Sequence, residues 1–468
     1  MKLRAAATLI LLSGLYGQAM PADAAAPAVD AKTHDKAVEL LGKGVGFRTV
    51  MGQGQVPAYA QYLAAQLKAG GFAAEDVQVQ MHGDTAALVA RYRGTGGKRP
   101  MLLSAHMDVV EAKPADWTRD PFKLVTEGGY FYGRGVLDNK FDVSVIVATL
   151  LRLKAEGFKP SRDIILALSG DEETAMVTTR ALSKQFPEAE LLLNGDAGGG
   201  TLAANDKPVA YNLQAAEKTY ATVVIEVTNP GGHSSRPHAD NAIYDLSTAL
   251  QKLAAYQFPA QADELTRAFF RATGKQTAGA LGQAMLRFAE DPKDAEAIKV
   301  IAADPEYVGM IRTTCVATML SGGHAENALP QRATATVNCR IFPGVAVEDV
   351  RRQIADVVID PAAKHPAKVE IIGEPTQSPA SPLREDVMQA VRKAVDRRQP
   401  GLPIVPQMSP GATDSLHFRA EGIPSYGVSG LYMRPTDDFA HGLNERVPVT
   451  ALDGDLDHWH TLLTELGR

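Results

Sequence analysis

Met101-Leu-Leu-Ser-Ala-His106-Met-Asp108 and Ile164-Ile-Leu-Ala-Leu168-Ser-Gly-Asp-Glu172-Glu173 share one design, a short apolar run that ends in a histidine or a group of acids. Between them, Val143 to Leu153 stays apolar over a helical length and is closed by Gly157 and Pro160. A third run, Leu191-Leu-Leu193-Asn-Gly, ends on Asp196. Strand-like runs alternating with helix-like ones predict an α/β fold with a mostly parallel sheet. The pattern holds from about Lys36 to Asp196. In open α/β sheets ligands bind beyond the carboxyl ends of the strands, which is where these imidazole and carboxylate groups fall.

The texture changes after about Leu213. Tyr220 to Val227 reads as a strand, Asn241 to Leu253 as a helix, Arg312 to Met319 and Ala333 to Ile341 as strands, Val347 to Val357 as a helix and Val369 to Ile372 as a last strand. That order, β-α-β-β-α-β, is the ferredoxin-like arrangement. A charged, Ala-rich stretch to about Pro305 separates its first helix from its second strand. From about Glu374 the α/β texture returns, with Gly422-Ile423-Pro424 leading into Ser425 to Val428. The economical division is therefore a segment at 1–24, a first part of the α/β domain at 25–212, an α+β insertion at 213–375 and the rest of the α/β domain at 376–468.

The chain has 468 residues, 45% hydrophobic and 22% charged, enough for two or three domains with real cores. With 48 Lys and Arg against 54 Asp and Glu, its net charge of −6 carries no basic footprint for a nucleic acid. Two cysteines make neither a disulfide scaffold nor a four-thiolate metal site. Lys2 and Arg4, the apolar stretch Ala5 to Gly17 and the small residues Ala22-Asp23-Ala24 read as a secretory signal peptide at residues 1–24. The apolar stretch is shorter than the ~20 residues a membrane span requires, so no stable membrane insertion is expected. The mature chain then begins near Ala25 and is exported, most simply to a bacterial periplasm. An oxidising compartment lets Cys315 and Cys339 pair, although two separate buried thiols fit the sequence as well.

The individual chemical signals are weak. Histidine, any residue, aspartate occurs three times: His82-Gly-Asp84, His106-Met-Asp108 and His238-Ala-Asp240. Only His106 directly follows a buried-looking strand. There, positions two apart share a face, so Asp108 is placed to orient the His106 ring. Asp138, in Gly133-Arg-Gly-Val-Leu-Asp138-Asn-Lys140, reads alone as a helix cap. Three adjacent acids at Asp171 to Glu173 read alone as a solvated loop. Together the residues are two histidines, with His441 the second, and several carboxylates at strand ends. That set offers the nitrogen and oxygen donors that suit zinc, or cobalt and manganese in its place. One carboxylate bridging two ions, with a water between them, makes a nucleophile at neutral pH. Neighbouring Glu172 and Glu173 allow one to bind metal while the other moves protons.

The ordered motifs resemble the di-zinc family of aminoacylases, carboxypeptidases and dipeptidases, most nearly its aminoacylase and carboxypeptidase S branch. The segments that carry the likeness are Ser104 to Val110 (SAHMDVV), Trp117 to Phe122 (WTRDPF), Gly133 to Lys140 (GRGVLDNK), Gly170 to Glu173 (GDEE), Gly231 to Pro237 (GGHSSRP) and His441 to Glu445 (HGLNE). The resemblance implies a zinc-peptidase catalytic domain interrupted by a lid, which also forms a dimer interface in some members. It implies two Zn2+ per chain, one held by His106 and Asp196, the other by Glu173 and His441, with Asp138 bridging. Asp108 would support His106, Glu172 would be the general base and His233 the lid histidine that steadies the oxyanion. Arg340, Asn327, Gly411 and Thr413 would contact the substrate, Arg340 clamping its carboxylate. The implied reaction is hydrolysis of the amide in a dipeptide, short peptide or N-acyl amino acid with a free carboxylate.

Phe141, Met176-Val-Thr178 and Ala412 depart from the family pattern without touching a proposed ligand. A single-domain zinc aminopeptidase is the competing reading, though it leaves Gly231 to Pro237 unexplained. A periplasmic peptide-binding protein without catalysis is the other. His458 and His460 make a poor metal pair, because residues two apart on a helix point to nearly opposite faces. The C-terminal helix is expected to pack through Trp459, Leu462 and Leu463, and Met107 and Trp117 to be buried anchors.

Overall fold

Leu102 and Leu103, neighbours in one strand, sit in two different hydrophobic clusters, because a strand presents successive side chains to opposite faces of its sheet. The computed structural model describes residues 29 to 468, so the expected signal segment at 1–24 lies outside the described residues. Met101–His106, Ile164–Ser169 and Leu191–Asn194 are strands buried at every position, as strands covered on both faces must be. Met101–His106 lies parallel between the other two, and Leu191–Asn194 is in turn parallel to Ser425–Gly427. The Val77–His82 and Thr85–Tyr92 hairpin extends the sheet on one side. Pro208–Glu217, Gly199–Leu202 and Tyr432–Met433 extend it on the other, with Ile404–Ser409 parallel to Pro208–Glu217. The sheet has ten strands, parallel at its centre and antiparallel toward the hairpin edge. It is the expected α/β layer.

Helices cover both faces. Ala31–Gly46, Val56–Ala69, Lys140–Ala155, Glu385–Arg398 and Ala451–Leu466 bury Leu40, Leu63, Ile146, Val391 and Trp459 against one face. Val177–Gln185 and Ser415–Ala420 bury Leu182 and Phe418 against the other. The last helix packs through Trp459, Leu462 and Leu463, as its sequence predicts. Its two histidines diverge: His458 meets the Tyr211 hydroxyl at 3.1 Å, and His460 meets Glu156 at 2.7 Å.

The insertion folds in the predicted order. Thr219–Thr228, Thr314–Gly322, Arg332–Ile341 and Lys368–Ile372 make a four-stranded antiparallel sheet, with Arg332–Ile341 and Thr219–Thr228 central. Helices Ala242–Ala255 and Val347–Val358 bury Leu246 and Ile354 against one face with Val223 and Val337, leaving the other face open. Cys315 lies directly opposite Cys339 on adjacent strands, and the two are joined by a disulfide, which decides between the two arrangements the sequence allowed. The Ala-rich stretch forms three helices, Glu264–Gln276, Gly279–Glu290 and Ala295–Ala302, around Phe270, Met285 and Phe288. Two of these helices start on aspartate caps: Asp263 accepts from the Thr266 amide and Asp294 from the Ala297 amide. The expected boundary at 212/213 falls inside Pro208–Glu217 of the large sheet, so the change of sheet moves to Lys218. The chain passes from one sheet to the other with a single residue between the strands, so no turn marks the crossing.

His458 is wholly buried, and burial, helped by the charge of Arg398, pushes its pKa down to about 3 from 6.5. Below pH 6.5 the unfolded chain takes up a proton that the folded imidazole refuses. Stability on this account falls between pH 6.5 and about 3, by up to ~1.4 kcal/mol per pH unit. In urea unfolding between pH 7 and pH 4, His458→Gln should show a shallower loss of stability than the parent. Equal slopes would refute this account of His458.

Candidate active site

Three neighbouring parallel strands deliver the site. His106 is the last residue of its strand, Glu172 and Glu173 follow Ile164–Ser169, and Asp196 follows Leu191–Asn194 by two residues. Asp138 stands just before the helix Lys140–Ala155, joined to Asn139 by a cis peptide bond, and His441 comes from the loop before Arg446–Pro448. Of the three histidine–aspartate repeats only His106-Met-Asp108 belongs here. His82-Gly-Asp84 is the turn of the edge hairpin, and Asp240 pairs with Lys364.

The structure brings together all five sequence-predicted metal ligands. His106 Nε2 lies 2.8 Å from Asp138 Oδ1 and 3.5 Å from Asp196 Oδ1, and His441 Nε2 lies 3.1 Å from Asp138 Oδ2 and 2.9 Å from Glu173 Oε1. Asp138 therefore turns one oxygen to each imidazole. Two sets of three donors share it: His106, Asp138 and Asp196, and Asp138, Glu173 and His441. The Nδ1 atom of His106 is taken by the Asp108 backbone carbonyl at 3.0 Å, with the Asp108 carboxylate at 3.5 Å, leaving Nε2 to face the cluster. That carboxylate also accepts the Glu172 and Glu173 amides, both at 3.1 Å. Asp108 thus orients one imidazole and both glutamates.

The electrostatics call for cations. Burial pushes Glu172 well above the usual carboxylate range, and it pushes Glu173 and Asp196 up to about 7. Asp138 goes the other way: burial opposes it, but hydrogen bonds to His106 and His441 hold it low. Hydrogen bonding to Asp138, aided by Glu173, lifts His441 to about 9. Burial pulls His106 down, yet Asp196, Asp108 and Asp138 outweigh it and leave this imidazole well above its ordinary value. These nitrogen and oxygen donors, with one carboxylate spanning two sets, fit a pair of divalent ions.

Sequence reasoning missed the support beneath the ligands. Glu445 is fully buried and accepts the amides of Gly135, Leu137 and Asp138, at 3.1, 2.7 and 3.0 Å, and the Arg134 guanidinium at 2.6 Å. Arg134 also donates to the backbone carbonyls of His441 and Gly442 and lies 5.2 Å over the Trp117 ring. This one ion pair fixes the Asp138 loop and the His441 loop together. Both residues stood inside quoted motifs, but nothing in the sequence links them across 311 positions. Asp414 is a second hidden carboxylate, held by the hydroxyls of Ser104, Ser169 and Thr179. Asp171 caps the helix Val177–Gln185 through the Val177 and Thr178 amides and so does not join the cluster.

The lid residues divide. His233 lies opposite Ala328 on a two-stranded ribbon that Asn327 adjoins; the Ser234 amide donates to the Asn327 carbonyl at 3.0 Å, and the His233 Nδ1 atom bonds Ser235. Among the described residues neither forms a hydrogen bond or ion pair with the cluster. Arg340 reaches from the lid sheet to the catalytic domain, donating to the Pro410 carbonyl at 2.8 Å with its guanidinium 4.9 Å from the Tyr220 ring centre. Gly411, next to Pro410, is exposed. The side chain of Thr413 is turned inward, contrary to expectation: its hydroxyl donates to Glu217 at 2.6 Å and accepts from Asn194. Glu217 is itself buried against Arg419, so this hydroxyl serves the interior.

The family described as peptidase family M20/M25/M40 matches residues 102–465. The N-fatty-acyl-amino acid synthase/hydrolase PM20D1.1 of Danio rerio is 28% identical over 393 residues, spanning 81% of this chain and 74% of that protein. A probable carboxypeptidase S-like 2 of Dictyostelium discoideum is 26% identical over 391 residues, spanning 81% and 74%. The M20 family metallo-carboxypeptidase Sso-CP2 from Sulfolobus solfataricus has the same fold, with a TM-score of 0.66 at 17% identity over 92% of this chain and 99% of its own.

Glu445→Ala would leave Arg134 charged and buried, a loss of ~3–5 kcal/mol when such a pair is broken. The expected result is a lower thermal midpoint together with weaker metal uptake in equilibrium dialysis. A variant as stable as the parent and binding metal as well would remove Glu445 from its supporting role.

Proposed function

Because the chain belongs to peptidase family M20/M25/M40 and hydrolyses peptide or linear amide bonds, we propose that it is an exported di-zinc hydrolase of dipeptides, short peptides or N-acyl amino acids with a free carboxylate. The observation that carries this reading is Asp138 turning one carboxylate oxygen to each of two imidazoles, with Glu172 buried beside them. His106 and Asp196 would hold one ion and Glu173 and His441 the other, with Asp138 placed to serve both. When bound, the ions polarise the substrate carbonyl and make water acidic enough to attack it at neutral pH.

The protein's own groups do the rest. Glu172 is joined to Asp108 through its backbone amide, which leaves its carboxylate free to take a proton from the attacking water and pass it to the leaving nitrogen. His233 supplies a donor to the oxyanion when the lid ribbon reaches a cleft. Arg340, swung from the Pro410 carbonyl, pairs with the substrate carboxylate in two-pronged fashion, with the exposed Gly411 backbone and Asn327 lining the same side. The relatives named for N-fatty-acyl amino acids and for carboxypeptidase S share the chemistry this clamp reads, an amide whose amine side bears a carboxylate.

Two further features support the wider reading. The Cys315–Cys339 disulfide suits an oxidising compartment such as a periplasm, reached through the leader at 1–24. The lid edge strand Thr314–Gly322 exposes Val316, Met319 and Leu320, a surface suited to pairing with a second copy through the lid.

The test uses the chain from about Ala25, loaded with zinc, on dipeptides and N-acyl amino acids and on their C-terminally amidated twins, with and without chelator. Cleavage of the free acids alone, abolished by chelator, is expected. Glu172→Gln should lose about 10²–10⁴ in turnover while keeping its metal. Arg340→Ala should raise KM for the acids about tenfold or more and leave the amides where they were. Equal cleavage of acid and amide would remove Arg340 from the clamp and favour an aminopeptidase.

A further inference from the structure

A cavity of about 380 Å³ opens directly beside the cluster, with Asp138 and Asp196 in its wall. Leu137, Leu431, Met433 and Pro435 give it an aliphatic lining. Its other acidic groups are Asp142 in the interior and Asp438 at the exposed side. The one cation in the wall, Arg434, is already matched by Asp437 at 3.0 Å and Asp206 at 3.4 Å. No Lys or Arg forms an ion pair with Asp142 or Asp438 among the described residues.

Asp142 is the unusual group. It is 2% exposed; its Oδ2 takes the Asn139 amide at 3.3 Å, and its Oδ1 has no hydrogen-bonding partner. Behind it lies Asp455, also fully buried, with Oδ1 accepting the Gly430 amide at 2.8 Å and Oδ2 unpartnered. The backbone is fitted tightly around both. A Cβ on Gly195 would stand 2.7 Å from the Asp142 Cβ, and one on Gly430 would stand 2.4 Å from Asp455 Oδ1. Glycine at these positions lets Asp142 be held rigidly at the cavity with Asp455 behind it, although buried carboxyl groups without a partner cost stability. Two ions in the cluster would neutralise Asp138, Glu173 and Asp196 but leave Asp142 and Asp438 unmatched.

We propose that this cavity is a specificity pocket for a basic side chain on the acyl side of the scissile amide, the lysyl, ornithyl or arginyl residue of a dipeptide. The inference rests on the metallohydrolase reading above. The polarity decides which side of the substrate enters. Its carboxylate end goes to Arg340 on the lid, because an acidic cavity repels it. The aliphatic walls fit the methylene stem of such a side chain, and Asp142 meets its charged head. A bare metal ion would not use those walls or that volume. A cation at the cavity end of Asp142 also offsets the cost of burying a carboxyl group whose inner oxygen has only Ser429 and Trp459 beside it.

The test compares lysyl-leucine with norleucyl-leucine and with Nε-acetyllysyl-leucine on the zinc-loaded protein. Lysyl-leucine should have a kcat/KM about tenfold or more above both neutral twins, the worth of one charge-assisted contact. Asp142→Asn should bring that ratio close to one. A parent enzyme that cleaves all three equally overturns the pocket while leaving the metallohydrolase reading intact, and this comparison stands even where the variant fails to fold. Absence of chelator-sensitive cleavage of any amide would instead overturn the metallohydrolase reading. Calorimetry with n-butylammonium and n-butanol then decides the pocket alone: binding that requires the ammonium sustains it, and no binding refutes it.

Discussion

Mutual repulsion among buried carboxyl groups is the constraint on which this molecule is built. Asp108, Asp138, Glu172, Glu173, Asp196 and Asp414 converge on one edge of the large sheet, and among the described residues no lysine or arginine forms an ion pair with any of them. Such a group is costly unless imidazoles, amides, hydroxyls or bound cations compensate it. The fold supplies the first three with some thoroughness. Two imidazoles address Asp138, two backbone amides address Asp108, and three hydroxyls address Asp414. What remains is a negative charge that divalent ions match.

The same constraint explains the cations the protein does keep nearby. Arg134 stands behind the ligand loops, not among the ligands, and its partner Glu445 collects three amides as well. This pair ties a loop near residue 135 to one near residue 441 without adding net charge to the cluster. A buried ion pair is weak evidence for stability in itself. Here its work is geometric: it brings His441, from a loop with no regular structure, to within 3.1 Å of Asp138.

Much of this was legible in the sequence, and the parts that were not share a cause. The strands at the centre of the sheet were readable because each is an apolar run that stops at an acid or a histidine. The lid was readable because period-two alternation survives along Arg332–Ile341, with alternate residues buried. The helices between Glu264 and Ala302 were not readable, since their small separate core draws on a few apolar residues scattered among charges. The boundary at Lys218 was missed because the chain crosses between sheets as one nearly continuous extended run. Glu445, Asp142 and the inward turn of Thr413 depend on partners between three and more than three hundred positions away. A local pattern names such residues as acids or hydroxyls but cannot say which way they face.

Charge is arranged across the cleft as well as within the cluster. The lid side carries Arg340 and, one residue before the first lid strand, Lys218, which is almost wholly buried with its Nζ on the Arg312 carbonyl at 2.9 Å. Burial, with Arg340 adding to it, brings Lys218 down to about 7, so at neutral pH Arg340 is the full cation on this side and Lys218 keeps only part of its charge. The side below the metal cluster carries Asp142, Asp438 and Asp455. On the proposed reading, a substrate with a carboxylate at one end and a cation at the other has a single low-energy orientation in that field, with its amide over the ligands. The reverse orientation sets like charges against each other at both ends. Positioning of this kind does not require a deep complementary cleft, because two charged ends fix a line and the metal ligands fix the point along it. If Arg340 acts as the proposed clamp, the lid need not enclose the substrate to orient it; it has only to bring that guanidinium over the cleft.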